Sequence, residues 1–295
     1  MARPIEIDEV DDGRLDDFRD LTRADRRPDR PGGRGLVLAE GTVVVRRLIA
    51  SPYPVRAVMG VHRKLDELAP DLAGVDVPVY AVSAELMAAV VGFHLNRGVL
   101  AAADRAAKPP VNTLLAGARV VAVLEGINDH ENLGSLFRNA AALGVDAVLL
   151  GARCADPLYR RSVRVSMGHV LRMPFGVLPS WPADLSLLRR AGFRLLALTP
   201  AAAAVPLSAA NLGADDRVAF LLGAEGPGLS GPALAAADQL LAIPMADGVD
   251  SLNVATAAAI AFYCASGWAT QRATDEATDE ATREATEGAT RDATM

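Results

Sequence analysis

Cysteine is almost absent: Cys154 and Cys264 are the only two in 295 residues, far apart and without a CxxC spacing. No disulfide framework can be built from them. Four histidines, His62, His94, His130 and His169, are scattered and give no zinc-ligand spacing. The expectation is a cytoplasmic protein without metal. Long apolar runs are missing too. Although 51% of the residues are hydrophobic, no charge-free stretch reaches the roughly 18 residues of a membrane span. No membrane association is expected. The N-terminus, MARPIEIDEVDDGR, is acidic where a secretion signal needs a basic and then apolar stretch.

An excess of positive charge is also lacking. The net charge is −6, which taken alone argues against a nucleic-acid partner. Its distribution changes that reading. From Ala269 onward seven acids face three arginines, a net −4 that leaves −2 for the rest. Within 151–172, Arg153, Arg160, Arg161, Arg164 and Arg172 accompany one acid, Asp156. Such a patch is compatible with phosphate binding, and equally with a solvated helix face.

The chain divides by composition. Residues 1–34, charged and punctuated by proline and glycine, read as a leader. Residues 35–105 read as a small α/β domain with a helix at GTVVVRRLIAS, a strand at VPVYAV (77–82) and a helix at AELMAAVVG. A linker at 106–117 is marked by Pro109 and Pro110. From 118 to 268 short apolar runs alternate with helices, the pattern of a parallel sheet covered on both faces. Strands are expected at 119–127, 146–151, 193–200, 218–225 and 241–245, and a nearly all-apolar helix at 251–268. The tail 269–295 repeats AT every four positions, has nothing to bury, and reads as disordered low-complexity sequence.

Three segments carry chemistry. LLGAEGPGLS (221–230) ends an apolar strand at Gly223 and continues into a glycine-rich loop where a ligand can approach the backbone. A dinucleotide fingerprint is the rival reading, with Asp247 about 20 positions on. Against it, the order is GxxGxG rather than GxGxxG, and Pro227 sits inside the loop. In IPMADGVDSLNVATAAAIAFY (243–263), Ser251 stands where a helix N-cap belongs, and Asn253 enters an apolar helix where it needs a polar partner. In NDHENLGSLFRNAAALG (128–144), Asn132 reads as the N-cap of a helix. Arg138, amid apolar residues, calls for a partner or a functional reason to point inward.

Together, in this order, the segments resemble the three motifs of the SpoU/TrmH family, S-adenosylmethionine-dependent RNA ribose 2'-O-methyltransferases of the knotted SPOUT class. The resemblance implies a parallel α/β methyltransferase domain with a trefoil knot, preceded by an α/β substrate-binding domain. It also implies a homodimer and an RNA partner, ribosomal rather than transfer RNA because the N-terminal half resembles that of ribosomal-RNA-modifying members. Carried over by motif, the catalytic set is Arg138, Asn132, Glu225, Asn253 and Ser251. The cofactor set is Thr199, Gly223, Ile243, Met245 and Leu252. In the family the arginine is credited with catalysis. A guanidinium loses its proton only above about pH 12, so a clamp on RNA phosphate that also stabilises the developing alkoxide is preferred for Arg138. Glu225 is the alternative base, or the partner that orients Arg138. A non-catalytic RNA-binding relative and a nicotinamide-dependent oxidoreductase stay open as alternatives.

Overall fold

A computed structural model describes residues 4–21, 35–213 and 216–265. Its strands fall into two sheets. The first contains β1 (Ile5–Glu6), β2 (Val37–Glu40), β3 (Val55–Gly60), β4 (Val79–Ala81) and β5 (Val99–Ala103), in the order β1-β4-β3-β5-β2. The strands β1, β4 and β3 run parallel, whereas β5 is antiparallel to both β3 and β2. Helices α1 (Thr42–Ile49), α2 (His62–Leu72) and α3 (Ala84–Val91) lie in the connections. Gly92, left-handed at φ 84°, stops α3.

Part of the expected leader belongs to this sheet. Ile5 pairs with Tyr80, and a 3-10 turn at Gly13–Phe18 buries Leu15 and Phe18 completely beside Met87 and Val90. Residues 5–18 are therefore structural, because two apolar side chains three positions apart cover an open face of the core. The remainder of the leader at 22–34 and the AT-repeat tail lie outside the described residues.

The second sheet contains β6 (Val120–Glu125), β7 (Ala147–Leu150), β8 (Phe175–Val177), β9 (Arg194–Leu198), β10 (Val205–Pro206), β11 (Val218–Gly223) and β12 (Gln239–Ala242). Every pairing in the order β10-β12-β9-β11-β6-β7-β8 is parallel. The accompanying helices are α4 (Val111–Ala116), α5 (His130–Ala142), α6 (Arg160–Val165), α7 (Leu185–Arg190), α8 (Gly231–Ala235) and α9 (Val254–Ala265). All six residues of β6 are buried. Val120, Ala122 and Leu124 pack into the cluster that holds Leu133, Phe137, Ala258 and Phe262 of α5 and α9. Val121 and Val123 pack oppositely, with Leu115, Leu185, Leu188 and Ala233 of α4, α7 and α8. Two covered faces explain why these strands carry apolar residues without alternation.

Several boundaries differ from the sequence reading. The expected linker contains α4, whose Leu115 is buried in the core. The strand expected at 241–245 ends at Ala242, because Pro244 offers no N–H to continue a ladder. The last helix begins at Val254 rather than 251, and 266–268 lie outside the described residues. The two sheets are joined by ion pairs from Arg160 to Glu40 (3.3 Å) and from Arg105 to Asp156, and by a hydrogen bond from Arg47 to the Met167 carbonyl.

Candidate active site

The second sheet changes direction around β6 and β11: β7 and β8 extend one edge, and β9, β12 and β10 the other. In open α/β sheets, ligands bind beyond the carboxyl ends of the strands at such a point. Two cavities lie there.

The first, of about 450 Å³, is bounded by the ends of β9 and β11, the segment after β12, and the approach to α9. Thr199, Gly223, Ile243, Met245 and Leu252, drawn from three separated stretches, all line it, as do Glu225 and Ser251. Its wall is mainly aliphatic, with Leu198, Leu222 and Leu241 adding to that surface. Beyond β11 the loop closes through Gly228 N–H donating to the Ala224 carbonyl at 2.9 Å. A Cβ on Gly223 would stand 2.2 Å from the Gly228 carbonyl carbon and 2.3 Å from Leu229 N, so only glycine fits. Gly226 and Gly228 have φ of 85° and 67°, and a Cβ on either would meet nothing within 4 Å. The loop therefore closes tightly at its base and leaves space along its lip.

The second cavity, of about 430 Å³, shares Ala224, Glu225 and Val254 with the first. Its other walls come from the loop after β6, including Asn128, Asp129 and Asn132, and from Arg153 and Pro227. A hydrogen-bonded cluster stands at the common wall. Asn253 Nδ2 donates to Asn132 Oδ1 at 2.7 Å and to Glu225 Oε1 at 2.8 Å. Its Oδ1 accepts from Ala255 N–H (3.0 Å) and Thr256 N–H (3.2 Å). Asn253 is thus the cap of α9 and the tie between two other motif residues. The positive end of α9 favours the Glu225 carboxylate beside it. Among the described residues, Asn132 Nδ2 and Glu225 Oε2 have no protein partner.

Both capping assignments from the sequence are corrected. Asp129 caps α5, accepting from Glu131 N–H (2.9 Å) and Asn132 N–H (2.8 Å), so Asn132 lies within the first turn. Ser251 caps nothing and sits exposed on the first cavity's rim. The inward orientation expected of Arg138 is corrected as well: it is exposed on α5 and lines neither cavity. Leu133, Leu136, Phe137 and Ala140 fill the buried face of α5, and helical periodicity turns Arg138 away with Glu131, seven residues earlier. Arg138 instead adds, with Arg47 and Arg172, to the positive surroundings of His169. Burial first, and then these cations, lower the His169 pKa below its usual value.

The arginine-rich stretch is less free than its composition suggests. Arg153, Arg160 and Arg161 face Glu125, Glu40 and Glu131, acids remote in sequence. Sequence reasoning missed Asp129 as a site residue, singled Arg153 out only as part of a basic patch, and missed Glu125 as the acid that faces it. Their available signals were an aspartate three positions before Asn132 and a lone acid closing an apolar strand.

Residues 119–263 match the model of the SpoU rRNA Methylase family. A tRNA/rRNA methyltransferase of Mycobacterium tuberculosis, itself uncharacterised, is 58% identical over 259 residues, covering 88% of this chain and 90% of its own. The crystal structure of an rRNA methyltransferase from Sinorhizobium meliloti with bound AdoMet superposes with a TM-score of 0.74 at 22% identity. It covers 88% of this chain and 96% of its own. An RNA 2'-O ribose methyltransferase gives a TM-score of 0.69 at 25% identity, with coverages of 88% and 98%.

Proposed function

Because the chain belongs to the SpoU rRNA methylase family, we propose that it methylates ribose 2'-hydroxyls of ribosomal RNA with S-adenosylmethionine as donor. The carrying observation is the Asn253–Asn132–Glu225 cluster, set at the wall that the two cavities share. The first cavity fits the donor. Its aliphatic wall suits an adenine ring, the open lip at Gly226 and Gly228 admits close backbone approach, and Thr199 and Ser251 offer hydroxyls to the polar parts. Thr199, Gly223, Ile243, Met245 and Leu252 would hold it. S-adenosylmethionine, when bound, supplies a methyl group on a positively charged sulfur.

The chain's own residues account for the rest. A hydroxyl has one proton to give and lone pairs to offer. Asn132 Nδ2 and Glu225 Oε2, both without a protein partner among the described residues, match those two needs. Asn132 orients the ribose oxygen and Glu225 takes its proton as the oxygen becomes nucleophilic. Asn253 fixes both partners through one amide group and is itself held by α9. This choice favours Glu225 over Arg138 as base.

Arg138 keeps its role as a clamp on RNA phosphate, and the cations around His169, contributed by both sheets' units, support an RNA path there. Because Arg138 lines neither cavity of its own chain, stabilising the alkoxide requires a second copy. The proposal therefore includes a homodimer, and with it the trefoil knot formed by the return from β12 to α9. In this reading the first sheet's unit is the ribosomal RNA-binding module.

Titration calorimetry is expected to show binding of S-adenosylmethionine and silence with NAD. NAD binding would restore the oxidoreductase reading. Silence with both ligands, even with ribosomal RNA present, would restore the non-catalytic relative. Arg138→Ala is expected to leave donor affinity within about twofold and to lower methyl transfer by at least about tenfold, the loss of one charge-assisted contact. A parallel loss of donor binding would place Arg138 in the wrong site.

A further inference from the structure

We propose that the second cavity receives the acceptor nucleotide and that Arg153 grips its phosphate. The inference rests on the reaction assigned above. If the donor occupies the aliphatic cavity, the acceptor oxygen must reach the wall at Glu225 and Val254 from the opposite side, and the second cavity is the space on that side. Its volume, about 430 Å³, falls within the range of about 300–1,000 Å³ typical of small-molecule sites. A single extruded nucleotide is a ligand of that size.

Arg153 is the cation among the residues lining this cavity, and it is poorly held. Its side chain is 73% exposed, and Nη2 lies 3.8 Å from Glu125 Oε1, too far for a hydrogen bond. Glu125 is itself buried, and its other oxygen accepts from Ser230 N–H at 2.9 Å. Among the described residues no guanidinium N–H of Arg153 is hydrogen-bonded. The backbone adds an independent observation. Arg153 has φ 58°, a left-handed conformation that an arginine adopts only under constraint. Glycine would be the relaxed residue at this position. Beside the carboxylates of Asp129 and Glu225 in the same lining, this planar fork, with no hydrogen bond among the described residues and only a long ion pair to Glu125, is the group to which an oxyanion can dock with its nucleotide.

The test uses the full chain, S-adenosylmethionine and total ribosomal RNA from cells lacking the enzyme. Arg153→Gly removes the guanidinium while relaxing the backbone, and its melting temperature beside the wild type shows whether loss of the charge facing buried Glu125 disturbs the fold. It is expected to raise the KM for RNA about tenfold, the scale of one charge-assisted contact, with little change in kcat. The slope of log affinity against log salt should shrink by about 0.7, the share of one single-strand phosphate. Arg153→Lys should recover part of the KM, and Arg190→Ala, on the exposed side of α7, should match the wild type. An unchanged KM and salt slope in Arg153→Gly, with an active wild type, would overturn the phosphate contact. Absence of methyl transfer by the wild type would instead refute the reaction on which the inference rests.

Discussion

Glu225→Gln is expected to lower methyl transfer by about 10²–10⁴-fold, the usual contribution of a positioned general base, while donor affinity stays within about twofold. Glutamine preserves size and the hydrogen bond from Asn253 Nδ2, which reaches Glu225 Oε1 at 2.8 Å. The oxygen without a protein partner among the described residues, Oε2, is what changes: a carboxylate accepts a proton there and an amide does not. Single-turnover rates with saturating RNA isolate this step, and calorimetry with the donor alone supplies the control. Near wild-type turnover in the variant would return the proton-accepting role to another group. Asn253→Ala would be a poorer experiment. It removes the α9 cap together with both links to Asn132 and Glu225, so stability and chemistry would fall together.

Gly223→Ala is the second change with a large consequence. The atoms its Cβ would strike, at 2.2 and 2.3 Å, are backbone atoms of Gly228 and Leu229, which cannot swing aside as a side chain can. The loop must open, carrying Glu225 with it and uncovering Leu229, which is 7% exposed. Overpacking of this kind costs about 1–3 kcal/mol, corresponding to a melting temperature lower by about 3–10 °C. Both donor binding and turnover should fall steeply. Gly226→Ala separates crowding from backbone preference, because its Cβ has open space and only the φ of 85° opposes it. Its thermal shift should therefore be the smaller one. Equal melting of Gly223→Ala and wild type would mean that the loop is looser than the structure indicates.

The site was legible in the sequence to the extent that its residues sit in recognisable motifs. Thr199, Gly223, Ile243, Met245 and Leu252 were assigned one ligand by resemblance, and the structure brings all five to one cavity. Whether they bind the methyl donor belongs to the proposal. The polar need of Asn253 was legible from chemistry alone, since an amide entering an apolar helix requires partners. Which partners it takes was not, because Asn132 and Glu225 lie 121 and 28 positions away.

The misread caps share one cause. Segment 251–253 holds two good capping residues, Ser251 and Asn253, as 129–132 does in Asp129 and Asn132. Only the phase of the buried face chooses between them. In α9 that face starts at Val254 and continues through Ala258, Ala261, Phe262 and Ala265. The inward orientation expected of Arg138 comes from taking its neighbours as a run instead of a helical face. The leader was misread for a different reason: a two-residue strand and one 3-10 turn carry no periodicity, and burial of Leu15 and Phe18 depends on α3, some seventy residues later. Arginine pairing across 28 to 120 positions, as in Arg153–Glu125 and Arg160–Glu40, leaves no local trace either.

The position of the transferred methyl group tests the central claim most directly. Ribosomal RNA from cells lacking the enzyme would be incubated with the full chain and methyl-labelled S-adenosylmethionine, then digested to nucleosides and resolved by mass spectrometry. The label is expected on a single 2'-O-methylated nucleoside, with the mass increment on the ribose fragment. An increment on the base fragment would contradict the account.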